Sequence, residues 1–232
     1  MENKNILAII PARGGSKSIP KKNIKEFGGK PLIAYPIELA KSISIINKIV
    51  VSTDSEEIAS IAKKYGAEVP FIRPAELATD EASTLSVLRH CVSFLEKNEN
   101  YKPDFIVLLC PTSPFLKKER VIEAINMLND EGCNSVVSGM RDDGRFWSYN
   151  KLRNKYTPFY PKKRINRQYY EPLFREDAAI YFSKYNIIMK KNKLVDDKYV
   201  KFVIMDPDEI IDLDTPNDWK NAEEKIKNFL ES

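Results

Sequence analysis

Short β-branched apolar runs alternate with stretches of helical spacing along most of this chain, and this alternation restricts its fold more than any other feature. Residues 6–10 form the first run, too short for a buried helix and apolar throughout, as a strand covered on both faces of a parallel sheet must be. Residues 48–52, 68–72, 105–109, 135–139, 178–182 and 199–205 repeat the strand pattern. Residues 31–44, 54–65, 83–97 and 118–130 have helical spacing, and a last helix starts at Thr215. Asp54 or Ser55 offers an N-cap for the second of these helices, which ends before Gly66. The repeat predicts an α/β fold with a single doubly wound, mostly parallel, Rossmann-like sheet flanked by helices. Ligand sites then lie at the carboxyl ends of its strands.

With 232 residues, 43% of them hydrophobic, the chain can bury roughly 70% of its unfolded surface. That suits one domain over residues 1–232 with a small excursion. No apolar run approaches the ~20 residues that span a bilayer, and Met1-Glu2-Asn3-Lys4-Asn5 does not lead into a signal peptide's hydrophobic region. A cytoplasmic protein without membrane association is expected. Cys91, Cys110 and Cys133 have no CxxC spacing and are odd in number, so they read as reduced core residues. The net charge of +4 is too balanced to imply nucleic acid. His90, the one histidine, lies in a helical pattern, which disfavours a serine triad or a histidine-rich metal site. Chemistry must rest on carboxylates, cations and metal.

The segment after the first strand, Pro11-Ala12-Arg13-Gly14-Gly15-Ser16-Lys17-Ser18-Ile19-Pro20-Lys21-Lys22-Asn23, places a glycine pair and clustered cations where the ligand site should be. Gly14 and Gly15 let backbone N–H groups approach an anion, while Arg13, Lys17, Lys21 and Lys22 neutralise its charge. The spacing matches neither the Walker loop nor the dinucleotide fingerprint. A third kind of polyphosphate cradle is implied, against the plainer reading of a solvated basic loop.

Asp212 and Asp214, two apart in extended chain, can share a face and hold a divalent cation. Asp214 or Thr215 also suits the N-cap of the last helix, with Pro216 in its first turn. Arg73 is held on a loop by Pro74, and its planar fork suits a pyrimidine's carbonyl edge; pairing with Glu76 or Asp80 is the competing reading. Residues 141–175 break the βα rhythm with Phe146, Trp147, Tyr149, Tyr156, Tyr160, Tyr169, Tyr170 and many cations. Such an excursion reads as a dimer contact or a substrate lid. Arg167, Gln168 and Arg175 within it supply donors for a carboxylate, or pair with Glu171, Glu176 or Asp177 on the surface.

The opening segment, together with Gly28-Gly29-Lys30-Pro31-Leu32-Ile33, Val51-Ser52-Thr53-Asp54, Arg73-Pro74-Ala75-Glu76-Leu77-Ala78, Pro111-Thr112-Ser113-Pro114 and Ile211-Asp212-Leu213-Asp214-Thr215-Pro216, resembles the acylneuraminate cytidylyltransferases, the CMP-sialic acid synthetase family. The likeness covers nearly the whole chain and implies the nucleotide-diphospho-sugar transferase form of the Rossmann-like fold. It also implies an enzyme that joins CTP to a nine-carbon 2-keto acid sugar and releases pyrophosphate. By resemblance, Ala12, Arg13, Ser16, Lys17, Lys22, Asn23, Arg73 and Thr84 bind the nucleotide. Cys110, Ser113, Arg167, Gln168, Arg175 and Asp177 face the sugar, and Asp212 and Asp214 bind Mg²⁺, for which Mn²⁺ can substitute. Arg13, Lys17 and Asp212 would carry the chemistry. The resemblance also implies a homodimer built through residues 141–175.

Two departures bear on the sugar. Cys110 stands where the family commonly has Gln, and Asp177-Ala178-Ala179-Ile180-Tyr181 where it has Asn-Gly-Ala-Ile-Tyr. Exchanging an amide for an acid and glycine for alanine should alter sugar preference, toward acids of the legionaminic or pseudaminic type. An eight-carbon Kdo cytidylyltransferase and a non-catalytic nucleotide-binding relative are the alternatives.

Overall fold

Every residue from Ile6 to Ile10 is wholly buried, and the reason lies in how the strand divides its side chains. The structure, a computed structural model, describes residues 4–159, 166, 169 and 171–230, with side chains of the last helix described through residue 226. Ten strands follow in chain order: β1 (Ile6–Pro11), β2 (Glu26–Phe27), β3 (Lys30–Pro31), β4 (Lys48–Ser52), β5 (Phe105–Leu109), β6 (Ser135–Asp142), β7 (Trp147–Asn150), β8 (Lys155–Pro158), β9 (Leu173–Lys184) and β10 (Val200–Ile204). The helices are α1 (Ala34–Lys41), α2 (Glu56–Tyr65), α3 (Thr84–Glu99), α4 (Lys118–Met127), α5 (Tyr185–Met189) and α6 (Pro216–Leu230). Six strands form one sheet in the order β10-β6-β9-β5-β1-β4.

In β1, Ile6, Ala8 and Ile10 enter the apolar layer shared with α1, α2 and α4, through Ile37, Ala40, Ile58, Ala62, Val121 and Ile125. Leu7 and Ile9 enter the opposite layer with Leu88, Cys91, Val92 and Leu95 of α3 and Ile188 of α5. Both faces being covered, the period-two signal disappears and the run is continuously apolar. Each such Leu or Ile contributes about 2 kcal/mol by leaving water. β1 lies parallel to both β4 and β5. The chain therefore steps to one side of β1 and returns on the other, which opens a crevice at the carboxyl ends of β1 and β5.

The strands at residues 48–52 and 105–109 fall where the sequence pattern places them. The helix expected over 31–44 is confined to Ala34–Lys41, because Gly28 and Gly29, at φ 55° and 85°, close a tight β2–β3 hairpin that holds Pro31 in its second strand. The strand expected over 68–72 shrinks to a single bridge between Val50 and Glu68. Arg73 then leaves that edge, with its N–H donating to the Thr53 carbonyl at 2.7 Å. Ser55, rather than Asp54, caps α2 through its side chain.

β9 is longer than expected and antiparallel to both β5 and β6. Its pairing slips beside the crevice: Val137 faces Tyr181 while Gly139 faces Glu176, so two steps on β6 answer five on β9. Ala178 in this bulge has φ 63°, a left-handed conformation that costs a residue with a Cβ. A Cβ on Gly139 would sit 2.5 Å from the Arg175 carbonyl oxygen, so the strands meet there only because glycine has none. Beyond the slip, β6 and β9 continue as an antiparallel ribbon, and β7 and β8 form a separate hairpin. The described part of the aromatic excursion over 141–175 therefore holds the distal ends of β6 and β9 and the β7–β8 hairpin rather than a further βα unit. Trp147, Tyr149, Tyr156, Phe159 and Phe174 are exposed on it. Tyr160 and Tyr170 lie outside the described residues.

Candidate active site

A third apolar cluster unites the loops around the crevice. Ile19 of the basic loop, Phe27 and Leu32 of the hairpin segment, Phe115 after β5, and Leu213, Trp219 and Ile226 of the carboxyl-terminal segment pack together. Phe27 meets Phe115 and Trp219 edge-on at 6.0 and 5.3 Å between ring centroids. Because Leu213 is wholly buried in this cluster, its neighbours Asp212 and Asp214 are turned outward. The Leu213 N–H donates to the Thr112 carbonyl at 3.1 Å, tying the segment to the loop after β5. Thr215 and Asp218 then cap α6 reciprocally: the Asp218 N–H donates to Thr215 Oγ1 at 3.2 Å and the Thr215 N–H to Asp218 Oδ2 at 2.8 Å. Thr215 is thus the cap, and Asp214 is released from that duty.

The basic loop is fastened by its backbone. The Ala12 N–H donates to the Ser52 carbonyl at 2.9 Å, and the Gly14 N–H to Asp54 Oδ1 at 2.8 Å. Asn23 is buried and its amide donates to the Arg13 carbonyl at 2.9 Å, so it holds the loop's shape from within. Ser16 is half-buried beside Gly14, to whose carbonyl its own N–H donates. Each loop cation has an acidic partner: Lys21 with Glu57, Lys22 with Asp214, and Arg13 and Lys17 together with Asp80. Lys22 Nζ also donates to the Leu213 carbonyl at 2.9 Å and joins the two ends of the site.

Beside this loop, a cleft of about 260 Å³ is lined by Pro11, Arg13, Arg73, Leu77, Thr79, Asp80, Ala82, Thr84 and Val87. Arg73 is 5% exposed, and its Nε and Nη2 have no hydrogen-bond partner. Asp54 is the nearest acid, 3.8 Å from Nη2 and beyond hydrogen-bond reach. Burial depresses the Arg73 pKa and repulsion from Arg13 adds to this, while Asp54 opposes them. A buried, incompletely satisfied guanidinium is costly to keep in a fold, and its donors call for an acceptor in the cleft. The alternative pairing of Arg73 with Glu76 or Asp80 does not occur; Asp80 is taken by Arg13 and Lys17. His90 packs edge-on against Phe71 at 4.7 Å, and burial lowers its pKa.

At the end of β5, Cys110 is half-buried. Burial, with Asp212 and Asp177 adding negative potential, pushes its thiol up to about 12. Although Asp212 is turned outward, partial desolvation of its carboxyl raises its pKa, and the charge of Asp214 adds to this, while the Thr112 side chain bonds to it and opposes the shift. Cys110, Asp177, Asp212, Asp214 and Lys22 therefore share one electrostatic neighbourhood. In the bulge, Asp177 Oδ1 accepts from Ser138 Oγ and from the Ala179 N–H at 3.0 Å, whereas Oδ2 is buried without a partner. Ser113 is buried in the turn that follows Cys110. Arg175 sits on the exposed ribbon, with Nε 3.8 Å from Asp142 and Nη2 donating to Met140 Sδ, rather than against Glu171, Glu176 or Asp177. Arg167 and Gln168 lie outside the described residues.

Among the described residues no cluster of three or more acidic, histidine or cysteine side chains forms a preorganised metal cage. Asp212 and Asp214 offer two carboxylates, the donor set of a magnesium ion that takes its other ligands from phosphate and water. The sequence reading missed Asp54 and Asp80 as site residues. Asp54 stands in a motif that reads as a helix start and as part of the family resemblance, with no role of its own, and Asp80, in the polar loop between Leu77 and the Ser83 cap, is legible only as a possible partner of Arg73.

Residues 7–230 match the family model described as cytidylyltransferase. The CMP-N,N'-diacetyllegionaminic acid synthase of Legionella pneumophila is 34% identical over 227 residues, covering 96% of each chain. A pseudaminic acid cytidylyltransferase of Campylobacter jejuni is 46% identical over 118 residues, 51% of this chain and 50% of the relative. The N-acylneuraminate cytidylyltransferase A of Danio rerio is 32% identical over 98% of this chain and 52% of its own length. Among solved structures, a CMP:2-keto-3-deoxy-manno-octonic acid synthetase complexed with CTP superposes with TM-score 0.70 at 16% identity, covering 97% of this chain and 99% of that one, which is a likeness of fold. On the family match and the relative from Legionella pneumophila, which aligns along nearly its whole length, this chain belongs to the cytidylyltransferase family.

Proposed function

We propose that this chain transfers the cytidylyl group of CTP to a nine-carbon 2-keto acid sugar of the legionaminic, pseudaminic or sialic type and releases pyrophosphate. The observation that carries the reading is Arg73, a buried guanidinium with unsatisfied donors facing a cleft between the basic loop and Thr84. Its fork meets the carbonyl edge of a pyrimidine, Ala12 and Pro11 bring main-chain groups to the base, and Asn23 keeps the loop shaped for ribose and phosphates. The relatives' names supply the sugar class.

In this reading the anomeric hydroxyl attacks the α-phosphorus in line, and Arg13, Ser16, Lys17 and Lys22 hold the β- and γ-phosphates and offset the charge of the departing pyrophosphate. Asp212 and Asp214 would hold Mg²⁺, or Mn²⁺ in its place, which when bound neutralises phosphate charge and lowers the pKa of a coordinated hydroxyl. One of the two aspartates accepts the hydroxyl proton in this reading. Lys22 bridges phosphate and Asp214, so the leaving group and the acid pair are set by one side chain. Cys110 and Asp177 face the distal part of the sugar, with Ser113 fixing the turn beneath them and Arg175 at the ribbon that flanks it. By the resemblance, Arg167 and Gln168, outside the described residues, are assigned to substrate binding.

The exposed aromatic hairpin supports a homodimer with residues 141–175 as the contact, and a cytoplasmic location belongs to the same proposal. Light scattering at micromolar concentration should give twice the 26.7 kDa chain mass; the monomer mass would refute the dimer. For the reaction, the protein is incubated with Mg²⁺, each of the four nucleoside triphosphates and nine- and eight-carbon 2-keto acids, and pyrophosphate is followed. Release with CTP and a nine-carbon acid is expected. Release with another triphosphate, or with the eight-carbon acid alone, contradicts the reading.

A further inference from the structure

The cations of the basic loop are not alike in how they are neutralised. Lys21 and Lys22 each take an acid of their own, whereas Arg13 and Lys17 share both oxygens of one carboxylate: Arg13 Nη1 lies 2.5 Å from Asp80 Oδ1, and Lys17 Nζ contacts Oδ2. Asp80 comes from a different part of the chain, the loop between the short turn Ala75–Leu77 and the Ser83 cap of α3, and it lines the same cleft as Arg13, Arg73 and Thr84. Two carboxylate oxygens, each facing one cation, reproduce the way two oxygens of a polyphosphate would engage the same pair.

We infer that Asp80 occupies the polyphosphate's place, its carboxylate competing with the nucleotide's phosphates for Arg13 and Lys17 until they displace it. The inference rests on the functional reading above, which assigns Arg13 and Lys17 to the phosphates. The physical case has two sides. In the absence of nucleotide, Asp80 supplies the counter-charge that Arg13 and Lys17, with Arg73 lining the same cleft, would otherwise lack. Yet the hold is weak enough to release. Asp80 is 40% exposed and Lys17 81%, and exposed pairs of this kind contribute little. A triphosphate carries several charges where Asp80 carries one, so exchange favours the ligand.

The test compares wild-type protein with Asp80→Asn by isothermal titration calorimetry, using CTP and, separately, CMP, which lacks the β- and γ-phosphates. Removing the competing carboxylate should tighten CTP binding about 2- to 5-fold, the factor set by one or two exposed pairs, and leave CMP binding unchanged. Trypsin should cleave after Lys17 faster in nucleotide-free Asp80→Asn than in the wild type, because the lysine is no longer held. CTP affinity that is unchanged or weaker in the variant, or a CMP change of the same size, overturns the inference while leaving the functional reading intact. A wild-type protein that binds no CTP overturns that reading and the inference with it. Asp80→Ala repeats the comparison should the amide find new partners.

Discussion

The two halves of the crevice are built on opposite plans. The half proposed for the nucleotide surrounds buried groups: Arg73 at 5% exposure, Asn23 at 7%, and a loop fastened at Ala12 and Gly14 to the end of β4 and its following turn. The half proposed for the sugar rests on a slipped pair of strands, a left-handed Ala178 and an exposed ribbon. One half is fixed by packing before any ligand arrives, and its unmet donors define what it accepts. The other is fixed by backbone irregularity, and small side-chain changes there redirect it. Base recognition should therefore be sensitive to single buried residues, and sugar choice to the bulge.

The largest expected effect comes from the phosphate loop. In the proposed mechanism Lys17 faces the departing pyrophosphate, so Lys17→Ala should lower kcat by about 30- to 1000-fold, or 2 to 4 kcal/mol; unchanged turnover removes Lys17 from the mechanism. Arg73→Met should weaken CTP binding about 100-fold without lowering the melting temperature of the ligand-free protein, because it removes a buried charge lacking full partners. A drop in both would make Arg73 structural and break the contrast between the halves.

A third substitution probes what holds the acid pair. Glu209 is 2% exposed and accepts from Arg120 Nε at 2.8 Å and from the Asp206 N–H at 3.0 Å, bracing the segment that leads to Asp212. Burial alone would raise the Glu209 pKa, yet these bonds bring it below the usual range. Arg120→Ala should cost about 3 kcal/mol of folding stability in denaturant melts. On the sugar side, Ala178→Gly relieves a left-handed Cβ and should stabilise the protein by about 1 kcal/mol; destabilisation would mean that the methyl group packs usefully in the bulge. The smallest effect is chemical. With its thiol pushed to about 12, Cys110 remains protonated at pH 8, so iodoacetamide should label it far more slowly than an unhindered cysteine.

How far each half is readable from sequence follows the same division. The strand at residues 6–10, the loop glycines, Arg73 before Pro74 and the Asp212/Asp214 spacing announce themselves because packing and phosphate chemistry require those residue types at those places. The antiparallel sense of β9 does not, since an apolar strand looks alike in either direction. Asp80 and Asp54 are equally silent, because an exposed acid becomes a site residue only through the cations that the fold brings to it. The hairpin Trp147–Asn150 with Lys155–Pro158 is hidden by exposure on both faces, which erases any hydrophobic period. The substitution of Gly by Ala at 178 was visible as a departure, but its left-handed backbone required the strand slip to be seen.

The most direct test of this division is CTP titration, without sugar, into Arg73→Met and Asp177→Asn side by side. The account predicts that Arg73→Met loses about two orders of magnitude in affinity while Asp177→Asn stays within about twofold of the wild type, because Asp177 lies in the sugar half. Comparable losses in both variants, or a larger loss in Asp177→Asn, would contradict it.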